Sequence, residues 1–301
     1  MLARVRGNRY LCRCKNIFIL AAKQKDMKAN ILIWMFLFVS VNNCMAGDGC
    51  SVSAPGREDS VTVSGRVTDF SGNPVDSCSV GWMSPSFSGI KEVLTNQDGY
   101  YSARIRKGTY YAMTALYMPS YPHVEKPFPA DKQRLEFWAW NFVADRDTTF
   151  NIRYHRMEVY GINAFNVQGA TPTFVIYVRP MSLTRNIEVG PGKSLHASDT
   201  DNSTTEALAP DAQLLQWAPP ASELETKVWI DGELVKVLLK QEIKEYVNAN
   251  EYCNAYLLTV SMPRKWSSTP YTTFNIHLKD TRTGDEGEGV YYLERQKYVG
   301  R

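Results

Sequence analysis

The chain has 301 residues, enough for about two domains of ordinary size, with 44% apolar and 22% charged residues. That composition excludes wholesale disorder. The net charge is only +3, and part of the excess sits in Arg4, Arg6, Arg9, Arg13 and Lys15 at the extreme N-terminus. No basic stripe reaches the folded region, so a nucleic-acid-binding domain is excluded.

Lys28 precedes an apolar run at residues 31–41, and small residues follow at 44–47. Basic, apolar and small segments in that order form a signal peptide, and the run is shorter than the roughly 20 residues a membrane helix needs. Residues 1–46 therefore read as an N-terminal extension and leader, and the mature protein as exported to the periplasm, cell surface or medium, with no membrane span. Met27 is an alternative start, which would leave Cys12 and Cys14 upstream of the leader and outside any metal site. Cys44 is the candidate for a lipid anchor, although Val41-Asn42-Asn43 fits the lipoprotein pattern poorly. Cys50 lies near the new terminus. Cys78 and Cys253 are too few and too scattered for a disulfide framework and read as isolated buried thiols.

Residues 47–58 are a small, polar linker. Residues 61–67 alternate apolar and polar side chains, the period of a half-buried strand. Ser71-Gly72-Asn73-Pro74 supplies turn chemistry, and residues 75–82 read as a second strand. The turn Thr95-Asn96-Gln97-Asp98-Gly99 leads into a strand at 100–105, and Lys107-Gly108-Thr109 into another at 110–116. Strand patterns recur at 135–140 and 148–154. Short strands at about ten-residue spacing, parted by Gly-containing turns, predict an all-β sandwich.

Gly65-Arg66-Val67-Thr68-Asp69, Gly72-Asn73-Pro74-Val75, Thr95-Asn96-Gln97-Asp98-Gly99-Tyr100-Tyr101 and Gly108-Thr109-Tyr110 fall in the order seen in carboxypeptidase regulatory-like, transthyretin-like domains. Residues 59–155 resemble that family over about 60 residues. The resemblance implies a sandwich in which the Asp98-Gly99 turn closes a hairpin. It also implies a module that stabilises or presents a neighbour without catalysis, because a fold by itself assigns no chemistry. The same opening is similar to that of intradiol ring-cleaving dioxygenases, with Trp82 and Tyr121-Pro122 in corresponding places. That resemblance implies two Tyr and two His on ferric iron. His123-Val124-Glu125 lacks the second His, and no Tyr lies between Trp82 and Asp98, so the ligand set is incomplete.

Residues 156–301 form a second β-rich domain without a recognised family, the boundary falling near His155. Strands are expected at 157–165 and 173–179, joined through Gly169, and at 255–261, 272–278 and 289–293. Asp231-Gly232 between two β-branched runs predicts a hairpin. Residues 237–247 are the one helix-like rival, with apolar positions that suit neither period. Residues 190–215 read as a long solvated loop.

Several patterns bear on chemistry. His155-Arg156-Met157-Glu158 matches a zinc-binding H-x-x-E, with His277 as a third ligand, but on a strand the odd spacing sends His155 and Glu158 to opposite faces. Asp280, Asp285, Glu286 and Glu288, and Asp199-Thr200-Asp201-Asn202, carry oxygens suited to calcium without EF-hand spacing. No metal, cofactor or catalytic residue is assigned on this reading. Aromatic residues carry the binding hypothesis, because sugar rings present apolar C–H faces to Trp and Tyr platforms. Trp138 and Trp140 share one strand face, and Phe137 and Ala139 the other. Trp217 and Trp266 lie in Pro- and Ser-rich loops, where an indole is either tucked under or displayed. The contact candidates are Trp217, Trp266, Tyr271, Arg179 and Arg185, the partner a polysaccharide or an envelope protein. The rival functions are an enzyme on the same sandwich, with dioxygenase-like iron or hydrolytic zinc, and a purely structural partner-binding module.

Overall fold

The computed structural model describes residues 59–122, 128–167, 169, 171–189 and 208–295. The leader, Cys44, Cys50, His123 and residues 199–202 lie outside that set.

Strand alternation governs the first half. β1 (Ser60–Thr68) buries Val61, Val63, Gly65 and Val67 and leaves the residues between them half-buried. It pairs antiparallel with β4 (Tyr100–Arg106) and parallel with β9 (Thr148–Thr149) and β10 (Ile152–Arg153), giving a four-stranded first sheet. Opposite it run β2 (Ser79–Met83), β3 (Gly89–Leu94), β6 (Ala112–Leu116) and β7 (Phe137–Trp140), with β5 (Gly108–Thr109) and β8 (Val143–Ala144) as a small separate pair.

The second half contributes β11 (Met157–Phe165), β12 (Thr173–Ser182), the short helix α1 (Leu183–Val189), β13 (Gln213–Leu215), β14 (Leu224–Ile230), β15 (Glu233–Val235), β16 (Val237–Asn248), β17 (Glu251–Ser261), β18 (Tyr271–Asp280) and β19 (Glu286–Glu294). β11, β12, β17 and β13, with β16 alongside β17, form a five-stranded sheet. The remaining strands join those of the first half in one eight-stranded sheet, ordered β15-β14-β18-β19-β7-β6-β2-β3. The chain therefore folds as an all-β sandwich.

The eight-stranded sheet is the middle layer. From β7, Phe137 and Ala139 enter a first core with Val63, Trp82 and Ile152, whereas Trp138 and Trp140 enter a second core with Ile176, Leu258 and Ile276. β19 divides in the same way, sending Val290 and Tyr292 to the first core and Tyr291 to the second. Residues on either side of His155 share both cores, and the middle sheet joins them through the parallel pairing of Gly289 with Trp138 and of Tyr291 with Trp140.

Several elements differ from expectation. The strand expected from residue 75 begins at Ser79, because Thr95 engages the preceding backbone: its Oγ1 accepts from Cys78 N at 2.8 Å and donates to Val75 O at 2.6 Å. The Asp98-Gly99 turn closes no hairpin. It carries the chain from β3 in the middle sheet to β4 in the first, with Asn96 Oδ1 accepting from Asp98 N and Tyr100 N. β3 has no burial alternation, which hid it from a periodicity argument. Residues 237–247 are an edge strand, not a helix; both faces of β16 are largely exposed, so neither period is written in its side chains. The Asp231-Gly232 hairpin forms as expected, with φ of 49° and 84°, the positive pair a type I′ turn demands. Cys78 and Cys253 are free and buried.

Two glycines hold layers at contact distance. A Cβ on Gly65 would stand 1.9 Å from Phe150 O, a carbonyl that accepts from Tyr101 Oη at 2.6 Å. A Cβ on Gly287 would stand 2.0 Å from Met157 O, where β11 crosses β19. Backbone cannot yield as a flexible side chain does, so Gly65→Ala and Gly287→Ala are each expected to cost about 2 kcal/mol or more in urea denaturation. Gly72 has open space around its Cβ direction, and its φ of 85° makes Gly72→Ala a milder change of about 1 kcal/mol.

Candidate functional site

Of the aromatic loop residues, the fold displays one and hides the other. Trp217 is 2% exposed and packs under its loop against Leu135, Met181 and Leu183. Trp266 is 47% exposed. It stands at an open cleft of about 420 Å³ bounded by Phe165, Phe174, Met262 and Leu293, with Asn166 and Glu294 as polar neighbours. Phe165 is itself 47% exposed, so two aromatic rings face solvent at this cleft.

The position of Trp266 is built. Arg295 lies over its ring at 5.2 Å from the centroid, and Phe174 meets its edge at 6.2 Å. The guanidinium is spent on the protein: Nε donates to Thr272 Oγ1 at 2.9 Å, Nη1 to Ser267 O at 2.6 Å, and Nη2 to Asp231 Oδ2. Asp231, in the hairpin turn, also accepts from Ser267 N at 3.1 Å and Thr273 N at 2.9 Å. A buried carboxylate thus fixes an arginine, and the arginine fixes an indole. Such a platform loses little side-chain freedom when a ligand lands on it.

The other contact candidates have different positions. Tyr271 is half-buried on the face of β18 toward the first core, its Oη 3.4 Å from Asp145 Oδ1, and it lies apart from Trp266's cleft. Arg185 is 5% exposed and donates from Nε to Asp280 Oδ2 at 2.6 Å and from Nη2 to Glu223. Arg179 is 8% exposed, 4.5 Å over the Tyr160 ring and 3.9 Å from Glu245. Both arginines serve internal charge pairs.

The acidic and histidine patterns also resolve into pairs. Glu158 faces Trp138, and His277 Nε2 lies 2.6 Å from Glu286 Oε1. Asp285 accepts from Arg156 Nε at 3.1 Å and Ser182 Oγ at 2.6 Å, while Glu288 pairs with Arg153. Among the described residues no three His, Cys, Asp or Glu side chains converge as metal ligands. Trp82 and Tyr121, the residues shared with dioxygenases, are both buried.

One feature was not legible in sequence. Glu136 and Glu158 are buried side by side, the indole N–H of Trp138 lying 3.0 Å from Glu136 Oε1 and 2.9 Å from Glu158 Oε1. Burial, reinforced by the neighbouring Glu158 charge, holds the Glu136 carboxyl well above the usual carboxylate range. Burial also raises Glu158, against which Arg179 works. Buried side by side, the two carboxyls resist ionising together.

No family model matches the chain, and no curated protein matches it. The solved structures that match include the following three. One is a DUF3823 family protein from Parabacteroides merdae, 11% identical with a TM-score of 0.23, the match covering 78% of this chain and 98% of that one. BcpA, the major pilin subunit of Bacillus cereus, is 12% identical at 0.22 over 78% and 69% of the two chains. The full-length major pilin SpaD from Corynebacterium diphtheriae is 9% identical at 0.18 over 78% and 64%. Likeness at this level assigns no function. Among the described residues no helix is long and apolar enough to cross a membrane.

The acid pair makes stability depend on pH. A carboxyl whose folded pKa lies above its unfolded value contributes fully below the unfolded value, and that contribution is lost as pH rises toward the folded one. The protein is therefore expected to lose stability as pH rises above the ordinary carboxylate range. Glu136→Gln, which keeps a donor toward Glu158 without a titrating proton, is expected to flatten that slope in thermal unfolding. An unchanged slope would contradict a raised Glu136 carboxyl.

Proposed function

We propose that this chain is a non-catalytic, exported β-sandwich protein whose Trp266 cleft binds a polysaccharide. The observation that carries the reading is the half-exposed indole of Trp266 resting on an arginine whose N–H groups are already engaged. A guanidinium so occupied is poorly placed to bind an anion and well placed to hold a ring still. A pyranose would set its C–H face on Trp266 and Phe165 and direct hydroxyls toward the Asn166 amide and the Glu294 carboxylate. Trp217, Arg179 and Arg185 are proposed as framework, not contacts.

The first sandwich is proposed as a carboxypeptidase regulatory-like module. Gly65, Gly72 and Gly99 of the shared motif support this, because each occupies a close approach or a positive φ; a Cβ on Gly99 would stand 2.4 Å from Val67 O. The leader at residues 1–46 supports export, and Cys44 is the proposed anchor if the mature protein is tethered.

Affinity electrophoresis through neutral and acidic polysaccharides tests the binding role. Trp266→Ala is expected to weaken retention by at least about tenfold, with its unfolding curve unchanged, and Trp217→Phe to leave retention intact. Undiminished retention in Trp266→Ala would remove this reading. Stoichiometric iron or zinc in the purified protein would favour the enzymatic rival.

A further inference from the structure

The middle sheet is wider than the sheet that covers its first face. β19 sends Val290 and Tyr292 beneath the first sheet, but β18 and β14 continue past it, and no residue of β14 belongs to the first core. In this stretch the cross-strand row Trp229–Asn275–Val290 faces an open groove of about 420 Å³. Phe150, Arg153 and Glu288 line the groove with them, and Thr273 lies one step along the same face.

The groove's chemistry is specific. Trp229 is half-buried, so it lies in the sheet face with part of its surface open. The charges are matched: Arg153 pairs with Glu288 in the lining, and Lys227, beyond the lining on the strand of Trp229, pairs with Glu225 at 2.7 Å. A charged ligand would have to break one of those pairs or stay unpaired itself. Asn275 is half-buried, and its Oδ1 has no hydrogen-bond partner, an unmet acceptor beside the indole. Such an atom favours a ligand that brings a donor, because an unsatisfied buried acceptor is costly. That oxygen is enclosed, so it meets a ligand only if the amide turns about χ2, which would enclose Nδ2 in its place.

We infer that this groove is a second binding site, for a neutral sugar ring. An aromatic floor, matched charges and an amide with an unpaired acceptor fit a pyranose, whose C–H face is apolar and whose hydroxyls both donate and accept. The site is separate from the Trp266 cleft. Thr272 lines that cleft and Thr273 this groove, and successive residues of one strand point to opposite faces of its sheet. The Asp231-Gly232 turn stands between them: Gly232 lines the groove, and Asp231 anchors Arg295. One polysaccharide chain passing around this sheet end would engage both rings and gain from their linkage.

The test uses the full chain labelled with nitrogen-15, with the indole N–H resonances of Trp229 and Trp266 assigned from Trp229→Phe and Trp266→Phe. Neutral gluco-, manno-, galacto- and xylo-oligosaccharides are titrated in turn, and oligogalacturonate as a charged probe. At least one neutral probe is expected to move the Trp229 resonance saturably, both in the unmodified protein and in Trp266→Ala. Asn275→Ala is expected to weaken that response by roughly tenfold while leaving the Trp266 response unchanged. The inference is overturned if no neutral probe moves the Trp229 resonance, if oligogalacturonate moves it as strongly, or if the response disappears in Trp266→Ala. Failure of the Trp266 cleft alone would show in its own resonance and leave the Trp229 result readable.

Discussion

Two hydrophobic cores are closed by one sheet, and the rest of the structure depends on that sharing. β7 and β19 lie next to one another in parallel, and each turns alternate side chains in opposite directions. Such strands have no solvent face. Sequence alternation, which usually separates core from water, here separates one core from another. Trp138 and Trp140, stacked at 4.7 Å with 7° between their planes, are core residues for this reason. The close crossing of β11 over Gly287 and Gly289 follows from the same constraint, because the outer sheet must descend onto a strand already buried from below.

Sharing also explains the polar groups held inside. Where β7 meets β11, the Trp138 indole N–H meets the carboxylates of Glu136 and Glu158, and burial disfavours ionising both. Farther out, the charged residues of the turn after β18 are absorbed by partners from distant segments. Arg185 reaches Asp280, and Arg156 reaches Asp285. Asp280 and Asp285, which resemble part of a cation site in a linear reading, thus close α1 against the end of the middle sheet.

The legible parts of this fold were local. Asp231-Gly232 declares its hairpin because an I′ turn needs positive φ at both positions, and the alternation of residues 61–67 declares β1. The layering was not legible, because the pairing of Gly289 with Trp138 joins segments far apart in the chain. β3 and β16 lie at sheet edges with little burial to pattern them, so each escaped a periodicity test or defeated it. For the site, the choice of Trp266 and Trp217 rested on loop composition, which cannot tell a displayed indole from a tucked one; that depends on Arg295 and Leu135, both distant in sequence. Trp229 lies inside the predicted hairpin, where no loop composition marks it. Its signal was present in the alternation of Val228, Trp229 and Ile230, which sends the indole away from the core its neighbours fill.

Hydrogen exchange followed by mass spectrometry on Ile276→Ala tests the shared layer most directly. Ile276 is fully buried in the second core, and its truncation is worth about 3 kcal/mol. If one sheet closes both cores, the slowest-exchanging amides of β1 and β4 should lose protection by the same free energy as those of β12 and β17. Loss confined to β12 and β17, with β1 and β4 exchanging as in the unmodified protein, would contradict it.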